Sequence, residues 1–402
     1  MAHPLIWIDE DKQPETALAR PIPFVLKTAG ETMLALGQTG TLDNGPLCNL
    51  ADRIAEFFDK QTEGPDVLVG ALPFDSSETG HLIQPERVLR VQGKHDIAAI
   101  PGLGDRAPLR SAAAKILSVD PYPAPADFAD AVGAALDLLN TPGAALRKVV
   151  LSRSLKVTAN RDFAVTDLMR RLSVDESVTV FATPLPVRTH RPRSLIGATP
   201  ELLLEKRGGH IASHPLAGSA RRHKDAQQDR DAANALLGSE KDRREHEMVV
   251  ESILDVLAPY CIDLSTPDGT GLRATASMWH LGTRIVGRLK DASLSSVYFA
   301  ALLHPTPAVC GLPRRLAHDQ IVSLEQHSRE FYAGAVGWCD SAGDGRWYVS
   351  IRCAEVDGDQ ARLYAGAGIV PGSTPEGELA ETSAKFRAML DAFGIDGSKF
   401  GV

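Results

Sequence analysis

The segment WYVSIRCAEVDGDQARLYAGAGIVPGSTPEGELAET (Trp347–Thr382) carries the reading of the whole chain. Trp347–Val356 and Gln360–Val370 are β-rich runs on either side of Asp357-Gly358-Asp359, which predicts an antiparallel hairpin. Ser373-Thr374-Pro375 then marks a helix start, and Leu379, Phe386, Leu390 and Phe393 form one apolar stripe along that helix. The first run alternates Trp347, Val349, Ile351 and Cys353 with Tyr348, Ser350, Arg352 and Ala354. Its second face sets hydroxyls beside a guanidinium. Such a face either grips a carboxylate bidentately or is a solvent-facing sheet surface. Gly366 and Gly368 at the end of the hairpin, like Gly218 further back, permit a bulge or the close approach of a ligand to the backbone.

Towards the amino terminus the strand signals continue. KVVLSRSLKV (Lys148–Val157), SVTVFATP (Ser177–Pro184), LIGATPELLLEK (Leu195–Lys206) and HIASHPLAGS (His210–Ser219) are short, β-rich and punctuated by Gly and Pro. Ile22–Leu26, Val67–Leu72 and Arg87–Val91 read as further strands. Helical spacing predicts a helix over Asp127–Leu139, and Ser239 with Asp242 predicts a capped start for a second helix through MVVESILDVL. Pro101–Pro125 reads as a loose connection between an amino-terminal portion (1–125) and the rest. The expected fold class is α+β with mostly antiparallel sheet.

Composition removes several function classes. A chain of 402 residues with 44% hydrophobic and 23% charged residues is that of an ordinary globular protein. Its net charge of −8 supplies no broad basic field, which argues against a nucleic-acid or anionic-membrane partner. Five scattered cysteines include no CxxC pair, so neither a disulfide framework nor a zinc site is indicated. With no signal-peptide pattern at the start and no apolar stretch near the ~20 residues that span a bilayer, a cytoplasmic, reduced protein is expected.

Several residues are candidates for chemistry. Glu378 and Glu381 lie off the apolar stripe of the last helix and share a face with Lys385. That face is either solvated or turned into a cleft where carboxylates hold Mg²⁺. Glu245 falls one turn before Val249, at the border of a buried stripe, where a carboxylate needs a partner: a metal or a nearby cation. Lys148 heads an apolar strand, and Glu201 is a lone acid before Leu202-Leu203-Leu204. Each is either an ordinary strand-end residue or, inside one cleft, half of an acid–base pair.

Eight ordered blocks resemble the signature segments of the chorismate-utilising enzymes, and isochorismate synthases most closely. They are KVVLSR (148–153), GATPELLL (197–204), HPLAGSARR (214–222), SEKDRREHE (239–247), HPTPAVCGLP (304–313), VGWCDS (336–341), IRCAEV (351–356) and AGAGIVPGSTPEGELAET (365–382). The resemblance runs through residues 148–390, and the region before it carries no motif of comparable specificity. It implies a single large α+β domain over residues 1–402, with extended antiparallel sheets and surrounding helices.

The resemblance also implies roles. Lys148 would be the base that activates water for attack on C2 of chorismate, and Glu201 the acid that protonates the departing C4 hydroxyl. Glu245 and Glu381 would bind Mg²⁺, with Glu378 as an outer partner, and the metal would neutralise the ring carboxylate. Gly218, Ser219, Ala308, Arg352, Gly366 and Lys385 would contact substrate. Ammonia-using relatives lack a lysine at the Lys148 position and carry threonine where Ala308 stands, so no glutaminase partner is expected; a monomer is. Salicylate synthases share the first step and then eliminate pyruvate. The surroundings of Val309 and Tyr332 are expected to separate the two, and HPTPAVCGLP favours the plain synthase. A non-catalytic metabolite-binding homologue is the remaining alternative, disfavoured because Lys148, Glu201, Glu245 and Glu381 are all present. The isochorismate would feed a siderophore, salicylate or menaquinone route, and the block spellings lean to the siderophore type.

Overall fold

A strand with apolar residues on both faces must be covered on both faces, and Lys148–Ala159 is buried along nearly its whole length. It lies near one edge of a ten-stranded antiparallel sheet in the computed structural model, which describes residues 22–60, 63–93, 114–188 and 191–397. Across that sheet the order is Gly311–Leu312, Lys148–Ala159, Gln360–Ile369, Cys353–Asp357, Arg193–Thr199, Thr179–Leu185, Phe24–Lys27, Glu31–Leu36 and Arg87–Gln92. Ile116–Tyr122 also pairs with Lys148–Ala159. This strand falls within the stretch expected to be a loose connection, because its register with a buried strand outweighs its turn-rich composition. Residues 101–113 of that stretch lie outside the described residues.

A second sheet has nine strands. Its centre is formed by His210–His214, Leu202–Arg207, Gly345–Val349, Ala335–Asp340 and Val67–Leu72. A third, of three strands, joins Leu216–Arg221, Met278–Thr283 and Thr270–Ala274. The amino-terminal portion supplies strands to both large sheets. Its predicted strands appear at Phe24–Lys27, Val67–Leu72 and Arg87–Gln92. The helices predicted from spacing appear as Pro125–Asn140, Glu240–Leu257 and Pro375–Phe393, and the hairpin closes with Asp357 opposite Gln360.

Three runs expected as single strands are each divided between sheets. Leu195–Lys206 is Arg193–Thr199 in the first large sheet and Leu202–Arg207 in the second. Pro200 stands at the break, where a missing N–H cannot serve a ladder. Pro215 marks the same change between His210–His214 and Leu216–Arg221. Trp347–Val356 divides without a proline into Gly345–Val349 and Cys353–Asp357, and Arg352 between them has φ +51°. The face assignment of Arg352 by simple alternation therefore fails: it sits at a crossing between sheets, not on a sheet face.

Strand alternation distributes the core. Phe24, Leu26, Met33 and Ala35 turn to a large cluster shared with Leu68, Leu204, Trp347 and Val349 of the second sheet. Val25, Leu34 and Ala354 turn the other way, against Leu168, Met169, Phe386, Met389 and Leu390 from helices Val165–Leu172 and Pro375–Phe393. No helix among the described residues is long and apolar enough to cross a membrane.

Phe386 anchors the last helix with no exposed surface. Phe386→Ala is expected to cost about 3–5 kcal/mol. Urea denaturation should show a lower midpoint at an unchanged slope.

Candidate active site

The crossings at Pro200–Glu201 and Ile351–Arg352 line one cavity. Glu201 follows Pro200 at the first crossing and is buried. Its carbonyl accepts the Val349 N–H at 3.1 Å, and its carboxyl faces the Leu216 N–H. Burial pushes the carboxyl pKa up to about 8, against the opposing charges of Lys148, Lys385 and Arg352. Glu201 therefore holds a proton at neutral pH. It is an acid in the literal sense.

Arg352 occupies the crossing between Gly345–Val349 and Cys353–Asp357. Burial lowers its guanidinium to about 10, partly offset by Glu381, Tyr332 and Glu201, so it remains charged. Its Nη2 stands 3.4 Å from His280 Nε2. Burial, then the charges of Arg352 and Lys385, hold His280 well below the usual histidine range, while its other ring N–H donates to the Gly218 carbonyl. That network assigns a neutral ring with Nε2 as acceptor. Gly218 presents the carbonyl from φ +73°, a conformation that glycine adopts without strain.

Two helices bring the acids. Ser239 caps Glu240–Leu257, its hydroxyl accepting the Asp242 N–H at 3.2 Å; the Ser239 N–H goes to the Leu236 carbonyl, so only half of a capping box forms. Glu245 then projects beside buried Val249, as expected for a boundary position. Thr374 caps Pro375–Phe393 through the Gly377 N–H. Glu378 on that helix is only 2% exposed, which excludes the solvated-face reading for it.

Each of these carboxylates has its own lysine. Lys148 Nζ lies 3.0 Å from Glu245 Oε1, without the alignment of a hydrogen bond and with no hydrogen-bond partner of its own. Lys241 Nζ lies 3.1 Å from Glu378 Oε1, and Lys385 Nζ lies 2.6 Å from Glu381 Oε1. Lys385 also donates to the Gly366 carbonyl at 2.9 Å, and the Ser219 hydroxyl donates to Glu381 Oε1 at 2.9 Å. Burial and then the neighbouring Glu381 charge raise the Glu378 carboxyl from its ordinary value, against the opposing charge of Lys241. Burial is also the largest influence on Glu381, but Lys385, Lys241 and Ser219 together outweigh it and keep that carboxyl low.

The chemistry of Glu245, Glu378 and Glu381 is of the kind a hard divalent cation takes: the candidate donor atoms are all carboxylate oxygens, and Glu378 Oε2 is buried with no hydrogen-bond partner. Among the described residues no three His, Cys, Asp or Glu side chains stand together in an arrangement that could hold a metal ion. The lysines hold the three glutamates instead.

Of the eleven residues expected at the site, nine line the cavity: Glu201, Gly218, Ser219, Glu245, Ala308, Arg352, Gly366, Glu381 and Lys385. Lys148 and Glu378 stand behind them, joined through Glu245 and Lys241. A Cβ at Gly368 would collide with Glu245 Oε1 and come within 3.0 Å of Lys148 Cε, so the absent side chain makes room for this ion pair. Tyr332 stacks on Tyr364 at 4.8 Å and forms the far wall with Val309. Sequence reasoning missed His280 and Arg329. The signal for His280 was a ring nitrogen inside an apolar strand. Arg329 donates to the Val309 and Val150 carbonyls at 2.7 and 2.6 Å, and no local pattern announces that.

The model of the family described as chorismate binding enzyme matches residues 94–394. Isochorismate synthase DhbC of Bacillus subtilis is 42% identical over 353 residues, covering 86% of each chain. Isochorismate synthase EntC of Escherichia coli is 39% identical over 347 residues, covering 85% of each. The crystal structure of DhbC from Bacillus anthracis superposes with a TM-score of 0.84 at 36% identity, covering 93% of this chain and 96% of that one. Anthranilate synthase component I from Streptococcus pneumoniae, at TM-score 0.67 and 21% identity, shares the fold. The match spans most of the chain, and the chain belongs to the chorismate-binding enzyme family.

Proposed function

We propose that this protein is an isochorismate synthase, an isomerase that adds water at C2 of chorismate with loss of the C4 hydroxyl. The observation that carries the reading is Glu201, protonated at neutral pH and lining the cavity, within electrostatic reach of the buried Lys148 that stands behind Glu245. An acid and a base at the same site are what this exchange requires.

In this reaction Lys148 takes a proton from water as its oxygen bonds to C2. Both ring double bonds shift, the C4–O bond breaks, and Glu201 gives its proton to the departing hydroxyl. One water enters and one leaves, so the product is an isomer. Arg352 and the Gly218, Ser219 and Gly366 backbone region orient the substrate carboxylates, with Lys385 fixing Gly366 and Ala308 bounding the ring. Glu245 and Glu381, with Glu378, would hold Mg²⁺, which supplies charge neutralisation for the ring carboxylate. The same reading takes residues 1–402 as one monomeric, cytoplasmic unit that needs no ammonia-delivering partner.

Purified protein incubated with chorismate and Mg²⁺ should accumulate isochorismate, and EDTA should stop it. Stoichiometric pyruvate and salicylate would move the assignment to a salicylate synthase; no consumption would sink the enzymatic reading. Lys148→Ala and Glu201→Gln should each lower turnover by about 10²–10⁴-fold while remaining folded. The wild-type rate should fall as pH rises through about 8, where Glu201 loses its proton.

Glu201 also makes a stability prediction. Its folded pKa, about 8, is raised from the ordinary value of 4.5. Between those values the folded state binds the extra proton, so stability falls as pH rises through that window. Glu201→Gln removes this cost. Relative to wild type it should gain at least about 1 kcal/mol between pH 4.5 and pH 8, as read by urea unfolding.

A further inference from the structure

We propose that Lys241 is the resident cation of the acidic cluster while no metal is bound, and that its ammonium leaves the cluster when a divalent cation enters. The inference rests on the reading of Glu245, Glu378 and Glu381 as metal-holding residues. Lys241 lies in the first turn of helix Glu240–Leu257, with Nζ 3.1 Å from Glu378 Oε1. The charges of Glu378, Glu245 and Glu381 all act on it. A carboxylate as buried as Glu378 is strongly destabilising without a counter-charge.

The other two lysines have further tasks. Lys148 stands against Glu245 as the proposed base, and Lys385 ties Glu381 to the Gly366 carbonyl. Lys241 lines no part of the cavity, so substrate contact does not explain it. Three lysines already stand against three glutamates. A divalent cation added to that set leaves an excess of positive charge and seeks the same Glu378 oxygen. The Lys241 side chain is 30% exposed, and its flexible four-carbon stem gives the ammonium a path to water. Release of one ammonium relieves the excess and frees the oxygen. The lysine thus keeps the acidic helices together without metal and competes with the metal for its site.

The test uses the full chain without substrate. A lysine-acylating reagent followed by mass spectrometry should modify Lys241 several-fold faster when Mg²⁺ is added, while exposed Lys60 serves as the unchanged reference. By calorimetry Lys241→Met should bind Mg²⁺ about tenfold more tightly than wild type. Its metal-free melting temperature should fall by several degrees and recover with Mg²⁺. Should the variant fail to fold without metal, wild-type labelling still decides. If Mg²⁺ binds but Lys241 labelling stays constant, or if Lys241→Met binds metal more weakly, this proposal is overturned and the metal reading stands. Absence of Mg²⁺ binding in wild type and variant alike overturns both.

Discussion

Two neighbouring strands leave one sheet and enter another side by side, and the site depends on that shared crossing. Backbone groups that quit a ladder need other partners. Here each crossing serves the other: the Val349 N–H donates to the Glu201 carbonyl, and the Ala198 N–H donates to the Arg352 carbonyl. The acid and the guanidinium are therefore held by main-chain bonds, on rigid elements at the gap between two sheets. A loop would satisfy the same backbone groups with water and leave both side chains free to wander. The left-handed backbone at Arg352 is tolerated because ladders on both sides determine it.

Burial of so many ionisable groups divides them by partner. Glu245, Glu378 and Glu381 each face a lysine, whereas Glu201 forms no close ion pair among the described residues and is raised to about 8; Glu378 is raised too, against the charge of Lys241. The same chemical group thus gives two kinds of site. On the proposed reading the paired carboxylates serve as oxygen donors, and the unpaired one stores a proton. Lys148 contributes to both, countering Glu245 at 3.0 Å while its charge pulls on Glu201 too weakly to defeat burial.

Local signals in the sequence were legible because their causes are local. Asp357-Gly358-Asp359, the Thr374 cap and the helix start at Ser239 all appear where turn and capping chemistry put them. Strand exchange between sheets was not legible, because a period of two continues through the change. Pro200 and Pro215 marked two of the breaks, but proline also occurs at strand edges and bulges. Ser350-Ile351-Arg352 carried no mark at all. Helix-face reasoning placed Glu378 correctly away from the stripe of Phe386 and Leu390. It could not show that a second helix covers that other face, with Lys241 reaching across. The site residues came from motif resemblance more than from periodicity, and so Lys241 and His280 went unremarked.

A chain of net charge −8 has to concentrate positive charge locally if it is to receive a dianion. Arg352 keeps its charge despite burial, Lys385 is fixed by Glu381 and Gly366, and His280 stays neutral so that its lone pair can face the guanidinium. Glu201 in its protonated form adds no negative charge at all. A buried general acid is therefore favourable twice over on the proposed reading. The desolvation that retains its proton for the leaving hydroxyl also removes a repulsion that would oppose the substrate's carboxylates. Ionising Glu201 should weaken both protonation and binding, so the acid step and substrate capture share one physical cause.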